Sequence, residues 1–161
     1  RDRIDKLLKE KGYYYFRPDY ILIKADTSSG NHEVNMYVTL KLDEIPEQAY
    51  RVYSIHDVFV YPNFRLNVQR SDTDKANAVY YKGYYVVDKM KTYKPFVFSQ
   101  AMQFSPGDVY SRADHNASLN RIVSLGTFKF VKNRFEPFDT TGSWLDVYYY
   151  LTPFPKKSLR F

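Results

Sequence analysis

Histidine is scarce and cysteine is absent in this sequence, and both residue types often act as metal ligands, bases or nucleophiles. The chain of 161 residues contains three histidines, His32, His56 and His115, and no cysteine. They fall in regions predicted as a loop, a strand and a helix, without an HExxH motif or a carboxylate at metal-binding spacing. Adjacent strand residues such as His56 and Asp57 point to opposite faces, which argues against a catalytic pair. We therefore predict no metal site and assign the histidines to surface or packing roles.

Sequence motifs for phosphate binding and nucleophilic catalysis are not found either. Gly107 and Gly126 are isolated rather than part of a Gly-rich loop. Ser124-Leu-Gly is followed by a predicted strand, whereas a nucleophile elbow is followed by a helix. Turn and capping chemistry accounts for Asp108. The sequence therefore predicts a protein that is not an enzyme, with no catalytic residues and no cofactor.

The composition is that of a globular protein. Hydrophobic residues make up 44% and charged residues 26% of the chain, and no uninterrupted apolar run approaches the length of a membrane span. Without cysteine the chain forms no disulfide, so an oxidising compartment is permitted but not required. The length suits one ordinary domain or two small ones.

Aromatic content and basic charge are the two unusual features of the composition. Aromatic residues account for 19% of the chain, and the formal net charge is +6. Basic residues interleaved with aromatic ones are typical of proteins that bind single-stranded nucleic acid. Here the aromatic residues lie in strand-like runs and the basic residues are dispersed, which favours sheet packing and solvated charges. A nucleic-acid-binding α+β module is therefore the alternative function.

The elements that would position a site are clearest in residues 94–153. Pro95 suits the first turn of a helix, and apolar residues recur at helical spacing through residues 94–104. A Ser-Pro-Gly-Asp turn follows. Ser111, with an acidic residue three positions later, then predicts the capped start of a second helix over residues 111–125. Its expected buried stripe consists of Leu119, Ile122 and Val123.

Three strands accompany these helices in the prediction. Gly126 suits the left-handed conformation that ends a helix, and alternating residues then predict strands over residues 127–136 and 144–151. Residues 50–61 predict an earlier strand with one change of face, as at a β-bulge. We expect Trp144 to fill the interface between sheet and helices.

A long insertion, residues 62–93, separates the first of these strands from the first helix. Residues 65–77 are polar and loop-like, whereas residues 78–88 contain strand-forming residues around Lys82-Gly83 and predict an extra hairpin or edge strand. Such an insertion either has a function or covers apolar surface, and both roles stay open.

The N-terminal part repeats the pattern in shorter form. Residues 1–11 predict an amphipathic helix that ends at Gly12. Residues 13–24 and 33–42 predict two strands of an antiparallel hairpin. The order of helix, glycine, strand, turn and strand matches that of residues 119–151, which indicates a tandem of similar units.

Three motifs connect this pattern to a known family: PGDVYS in the turn, SLGTFKFVKNRFEP after the second helix, and WLDVYYYLTP in the last strand. With these motifs the chain resembles the polypeptide-transport-associated (POTRA) domains of BamA- and TamA-like outer-membrane assembly proteins. The resemblance implies an α+β fold of tandem β-α-α-β-β units, each a small mixed sheet covered on one face by two helices.

The polar segment at residues 43–49 divides the chain. The expected parts are an incomplete unit at residues 1–48, a complete unit at 49–155 with the insertion at 62–93, and a tail at 156–161.

The resemblance implies a binding role. The protein would be a periplasmic scaffold of an outer-membrane protein assembly or translocation factor, on the periplasmic side of the bacterial outer membrane. Expected partners are unfolded outer-membrane or exported proteins and accessory lipoproteins, but not nucleic acid. A C-terminal β-barrel of the same chain is expected in the full-length protein. A division protein or a two-partner secretion transporter is a further possibility, and the tandem argues against the single-unit division protein.

The resemblance also implies where a client would bind. In such units the strand after the second helix lies at a sheet edge, and an exposed edge pairs with an incoming strand by β-augmentation. The predicted client-binding edge consists of Phe128, Lys129, Phe130, Val131, Lys132, Asn133, Arg134 and Phe135. Its phenylalanines would supply apolar contact, and its basic residues would keep the edge from aggregating. The predicted core includes Val52, Ile55, Leu119, Ile122, Phe128, Val147 and Tyr149.

Overall fold

Helices and sheets combine into an α+β fold in this computed structural model, which describes residues 1–66 and 75–156. The helices are α1 (Asp2–Glu10), α2 (Pro95–Ala101) and α3 (Arg112–Ser124). The strands are β1 (Ile21–Asp26), β2 (Asn35–Leu40), β3 (Ser54–Tyr61), β4 (Val79–Tyr81), β5 (Tyr84–Val86), β6 (Phe128–Pro137) and β7 (Trp144–Pro153).

Strand β3 lies at the centre of the larger sheet, whose order is β4-β5-β3-β7-β6. It runs parallel to β5 on one side and to β7 on the other, whereas the β4–β5 and β6–β7 pairs are antiparallel. The hairpin predicted within the insertion is confirmed as β4 and β5, joined at Lys82 and Gly83. It extends the sheet beyond β3. Residues 67–74 of the predicted loop lie outside the described residues.

Both predicted helices of the larger unit are confirmed. The Ser111 hydroxyl accepts a hydrogen bond from the Asp114 amide at 3.3 Å, so it caps α3 as its position in the sequence indicates. After α3, Gly126 has a φ of +68°, the left-handed conformation that a glycine adopts at little cost.

The core fills the space between these helices and one face of the sheet. It contains alternate strand residues together with residues of both helices, among them Ile55, Val58, Val60, Leu145, Val147, Tyr149, Phe98, Ala101 and Ile122. Phe128 is also buried. The prediction of Val52 as a core residue is wrong: it precedes β3 and is 41% exposed. Leu119 is only partly buried.

The buried stripe of α3 differs from the predicted one. Val123 is exposed, and the buried positions are Ser118 and Ile122. Ser118 tolerates burial because its hydroxyl is satisfied. It donates to the Asp114 carbonyl at 2.8 Å and accepts from the Gln103 amide at 2.8 Å. An apolar pattern cannot locate a stripe that includes a hydrogen-bonded serine.

Aromatic side chains cover the face of the sheet opposite the helices. Phe59 stacks between Tyr85 and Tyr148, with ring centroids 5.2 and 5.3 Å away and interplanar angles of 21° and 14°. The insertion returns over this face, since the Lys75 ammonium lies 4.2 Å from the Phe59 ring centroid. The described part of the insertion thus both widens the sheet and covers its aromatic face.

The N-terminal part forms α1 and a separate two-stranded sheet of β1 and β2. The predicted strand over residues 13–24 is wrong in its first half, because residues 13–16 form turns and the strand begins at Ile21. The Tyr14 amide donates to the Gly12 carbonyl at 2.9 Å, a bond that an extended chain does not make. The match between this segment and the strand after Gly126 therefore does not extend to structure.

Aromatic contacts join residues 13–16 to the larger unit. The Tyr14 ring lies 4.9 Å from that of Tyr110, and the Tyr15 ring 5.0 Å from that of Tyr53. The rings of this segment are used for packing between the two parts of the chain, which explains why their strand-like sequence does not form a strand. The division of the chain at residues 43–49 stays a prediction.

Candidate strand-pairing edge

Strand β6 is the outermost strand at one end of the larger sheet. It has ten residues, whereas β4 at the opposite end has three. Among residues 1–66 and 75–156, no strand pairs with the outer side of β6. The predicted client-binding residues 128–135 therefore lie along the longer of the two outer strands of the described sheet.

The backbone of β6 directs alternate amides away from the sheet. The Phe138 amide donates to the Trp144 carbonyl at 2.9 Å, so it points toward β7. The register is regular from Phe130 to Pro137, and amide directions alternate along an antiparallel strand. The amides that point away from β7 are those of Val131, Asn133 and Phe135. Three backbone donors are thus available at this edge.

The side chains of the predicted site divide between the two faces of β6. Phe128 is buried with its ring 6.3 Å from that of Phe98, and the Phe135 ring lies 4.4 Å from that of His115, so both face the helices. The exposed side chains on the opposite face are Phe130, Lys132 and Arg134. Of the three phenylalanines expected to contact a client, Phe130 is the accessible one, at 59% exposure.

A β-bulge and basic residues modify this edge. The register shifts between Phe128 and Phe130, which places Lys129 in the bulge, with its Nζ 5.3 Å from the Phe130 ring centroid. Arg134 forms an ion pair with Glu136. Bulges and lysines at an edge discourage pairing between identical copies. The edge combines open donors with features that limit self-association.

His115 on α3 supports β6 from the helical face. Its Nδ1 lies 2.9 Å from the Tyr110 Oη and its Nε2 2.7 Å from the Asn133 Nδ2. Burial lowers the pKa of His115, the hydrogen bond to Asn133 opposes this effect, and the positive charge of Arg112 adds to it. A neutral imidazole therefore holds the side chain of Asn133, whose backbone amide faces the open edge of the sheet.

One cluster of polar side chains was missed by the sequence interpretation. The prediction that His56 and Asp57 point to opposite faces is wrong, because β3 has a register shift between Ile55 and Val58. His56 Nδ1 lies 2.8 Å from Asp146 Oδ1 and 3.3 Å from Asp57 Oδ2. The change of face along residues 50–61 was the signal for this bulge. Nothing in the sequence linked it to a carboxylate 90 positions away.

Trp144 lies beside this cluster and not between sheet and helices as predicted. Its neighbours Leu145 and Val147 point into the core, so alternation directs Trp144 and Asp146 to the opposite face. The Trp144 side chain is 42% exposed, and its ring centroid lies 6.2 Å from that of His56.

Comparison with solved structures identifies this arrangement, although no protein-family model and no curated protein matches the sequence. The crystal structure of the third to fifth POTRA domains of BamA from Haemophilus influenzae aligns with 94% of this chain over 45% of its own length, with a TM-score of 0.51 and 15% sequence identity. The crystal structure of Haemophilus ducreyi BamA lacking POTRA domains 1–3 aligns with 94% of this chain over 22% of its own length, with a TM-score of 0.60 and 11% sequence identity. The chain has the POTRA fold.

The POTRA order of strand, helix, helix, strand and strand corresponds to β3, α2, α3, β6 and β7. The hairpin of β4 and β5 is inserted after the first of these strands. The chain spans less than half the length of either matched structure. In the described residues, none of the helices has the length and apolar character needed to cross a membrane.

Proposed function

We propose that this POTRA chain is a periplasmic scaffold of an outer-membrane protein assembly or translocation factor, and that β6 pairs with unfolded client strands by β-augmentation. The fold that it shares with the POTRA domains of BamA supports the setting. The open amides of Val131, Asn133 and Phe135 support the mode of binding and are the observation on which the proposal rests. The protein acts by binding, without a chemical step.

Backbone pairing suits clients of varied sequence. An incoming extended segment supplies carbonyl groups to the three open amides, and these contacts do not depend on its side chains. Phe130 adds one exposed ring beside the edge, and Lys132 favours an acidic side chain at the facing position of the client. Unfolded outer-membrane or exported proteins present such segments before they fold, and accessory lipoproteins are the second class of partner.

A proline at Val131 tests the proposal. Because the amide of this residue points away from β7, the Val131→Pro substitution removes a donor and fills the edge without breaking a hydrogen bond to β7. We expect it to weaken binding of an extended peptide from an outer-membrane strand at least about tenfold, since one or two lost hydrogen bonds and a steric block act together. Fluorescence anisotropy with a labelled peptide measures this change.

Two controls make the result specific. Val131→Ala removes similar packing but keeps the amide, so we expect peptide affinity within about twofold of wild type. Lys132→Pro removes an amide that points toward β7 and should lower stability, which confirms the amide directions. If Val131→Pro folds and binds the peptide as Val131→Ala does, β6 is not the client-binding edge, and the inserted hairpin at residues 78–88 becomes the next candidate.

The nucleic-acid alternative gains no support from the described residues. Single-stranded nucleic acid stacks its bases on the open faces of aromatic rings. The faces of Phe59 are occupied by Tyr85 and Tyr148. The side chain of Lys75, which would contact a phosphate, instead lies over the Phe59 ring and 3.2 Å from the Tyr148 hydroxyl.

A further inference from the structure

A cluster of three side chains of metal-binding types lies on the sheet face opposite the helices. The ligand atoms of His56, Asp57 and Asp146 lie within 4.8 Å of one another. Two of the residues come from the bulge in β3, and the third comes from the neighbouring strand β7. A bulge that turns two consecutive side chains toward a third from another strand is a common way of aiming side chains at a functional site.

We propose that His56, Asp57 and Asp146 bind a divalent transition-metal cation of the Zn²⁺ class. One imidazole nitrogen and two carboxylate oxygens form a mixed N/O donor set that suits Zn²⁺ and Co²⁺. Three protein ligands are too few for Ca²⁺, which takes six to eight oxygens, and Mg²⁺ prefers an all-oxygen shell. Water would complete the coordination.

The distances between the donor atoms agree with this assignment. Metal–ligand bonds of about 2.1 Å in a tetrahedral site place neighbouring donors about 3.4 Å apart. His56 Nδ1 lies 3.3 Å from Asp57 Oδ2 and 2.8 Å from Asp146 Oδ1. A cation at these bond lengths therefore requires His56 Nδ1 and Asp146 Oδ1 to separate by about 0.6 Å.

The charges of the cluster favour a divalent cation. Across residues 1–66 and 75–156, His56 is the one basic side chain within ion-pairing distance of either carboxylate. Asp146 is buried, and its Oδ1 also accepts from the Asp57 amide at 3.2 Å. One histidine carries at most a single positive charge and cannot neutralise two carboxylates, whereas a divalent cation can. Burial of one carboxylate strengthens its attraction to that cation.

The orientation of the imidazole is fixed by its neighbours. The ring of Phe138, just after β6, stacks on His56 with a centroid distance of 3.7 Å and an interplanar angle of 25°. Trp144 packs against it edge-on. Side chains that hold a histidine ligand in one orientation are a regular part of metal sites. A bound cation would join β3 to β7 and, through Phe138, steady the loop between β6 and β7.

Isothermal titration calorimetry and thermal unfolding of the untagged chain test the site. We expect saturable binding of one Zn²⁺ per chain and a higher unfolding temperature with Zn²⁺, and neither effect with Mg²⁺ or Ca²⁺ at the same concentration. His56→Gln and Asp57→Asn each remove one ligand at a partly exposed position, and each should weaken Zn²⁺ binding at least about tenfold. His32→Gln is the matched control, because His32 lies on an exposed loop, and it should bind as wild type does.

Nuclear magnetic resonance provides a test that needs no variant. Co²⁺ should broaden or shift the amide signals of residues 54–58 and 144–148 before those around His32 or His115. Absence of saturable Zn²⁺ binding would overturn the proposal. So would a loss of binding in His32→Gln equal to that in His56→Gln, or Co²⁺ effects centred outside the two segments.

Discussion

The Glu10 carboxylate accepts a hydrogen bond of 2.6 Å from the Ser111 hydroxyl. Its second oxygen accepts from the Ala113 amide at 2.8 Å, so the last residue of α1 caps the start of α3. A carboxylate at this position satisfies free amides and suits the positive end of the helix dipole. The N-terminal part is thereby attached to the larger unit by a directional contact as well as by the packing of Tyr14 and Tyr15.

Replacement of this carboxylate should destabilise the chain. We expect Glu10→Ala to lower the free energy of unfolding by about 1 kcal/mol, the usual effect of losing a helix cap. Chemical denaturation measures the change. Glu33→Ala, in an exposed loop, is the control and should change the free energy of unfolding by less than about 0.5 kcal/mol. Equal effects of the two substitutions would show that the cap contributes nothing.

A buried charge cluster lies beside this cap. Asp5 forms ion pairs with Lys9 at 3.2 Å and with Arg112 at 3.1 Å, and both Asp5 and Lys9 are buried. Burial lowers the pKa of Lys9, and the contact with Asp5 opposes this effect. Asp5→Asn would leave two cations facing each other, so we expect it to cost about 3 kcal/mol of stability.

Lys9→Met provides the comparison for that prediction. It removes one cation but leaves Asp5 paired with Arg112, and its apolar side chain suits the buried position. It also removes the hydrogen bond that the Lys9 ammonium donates to the Phe16 carbonyl, so we expect a cost of about 2 kcal/mol. Urea unfolding of both variants gives the two values. A larger cost for Lys9→Met than for Asp5→Asn would contradict this account of the cluster.

Sequence patterns located the elements of the larger unit and failed where contacts between distant segments decided the structure. Helical spacing, the Ser111 cap and Gly126 depend on neighbouring residues, and they predicted α2, α3 and β6. The strand-like run that includes Tyr14 did not form a strand because its rings pack on the other part of the chain. The cluster at His56 depends on a register shift relative to β7, and no pattern within residues 50–61 specifies the partner carboxylate.

Hydrogen exchange should reveal the alternating amides of β6. We expect the amides of Val131, Asn133 and Phe135 to exchange faster than those of Lys132 and Arg134, because the first set lacks partners in the described sheet and the second set points toward β7. Residue-resolved exchange by nuclear magnetic resonance measures this pattern. Uniform protection along β6 would mean that the outer side of the strand is covered in solution.

The β1–β2 hairpin should be the least protected part of the described chain. Its two strands pair only with each other within residues 1–66 and 75–156, and Ile23, Met36 and Val38 on one face are exposed. Few buried contacts mean a low free energy of local opening. We expect faster exchange there than in β7, with α1 between the two because it packs on α3. Equal protection of β1 and β7 would contradict this prediction.

The stability of the chain should decrease as the pH falls through the range in which unfolded histidine is protonated. Burial lowers the pKa of His115 in the folded chain below its usual 6.5. At a pH between the folded-state pKa and the unfolded-state pKa, the unfolded chain therefore binds a proton that the folded chain does not. The free energy of unfolding then rises with pH across that interval. The stabilisation is complete above about pH 7 and is lost as the pH falls toward the pKa of His115 in the folded chain.

Denaturation of His115→Gln at about pH 7.5 and pH 5.5 should show a smaller difference in the free energy of unfolding between the two conditions than wild type, whatever its overall stability. His32→Gln should keep the wild-type difference. If His115→Gln also keeps it, the neutral imidazole between Tyr110 and Asn133 is not the source of the pH dependence.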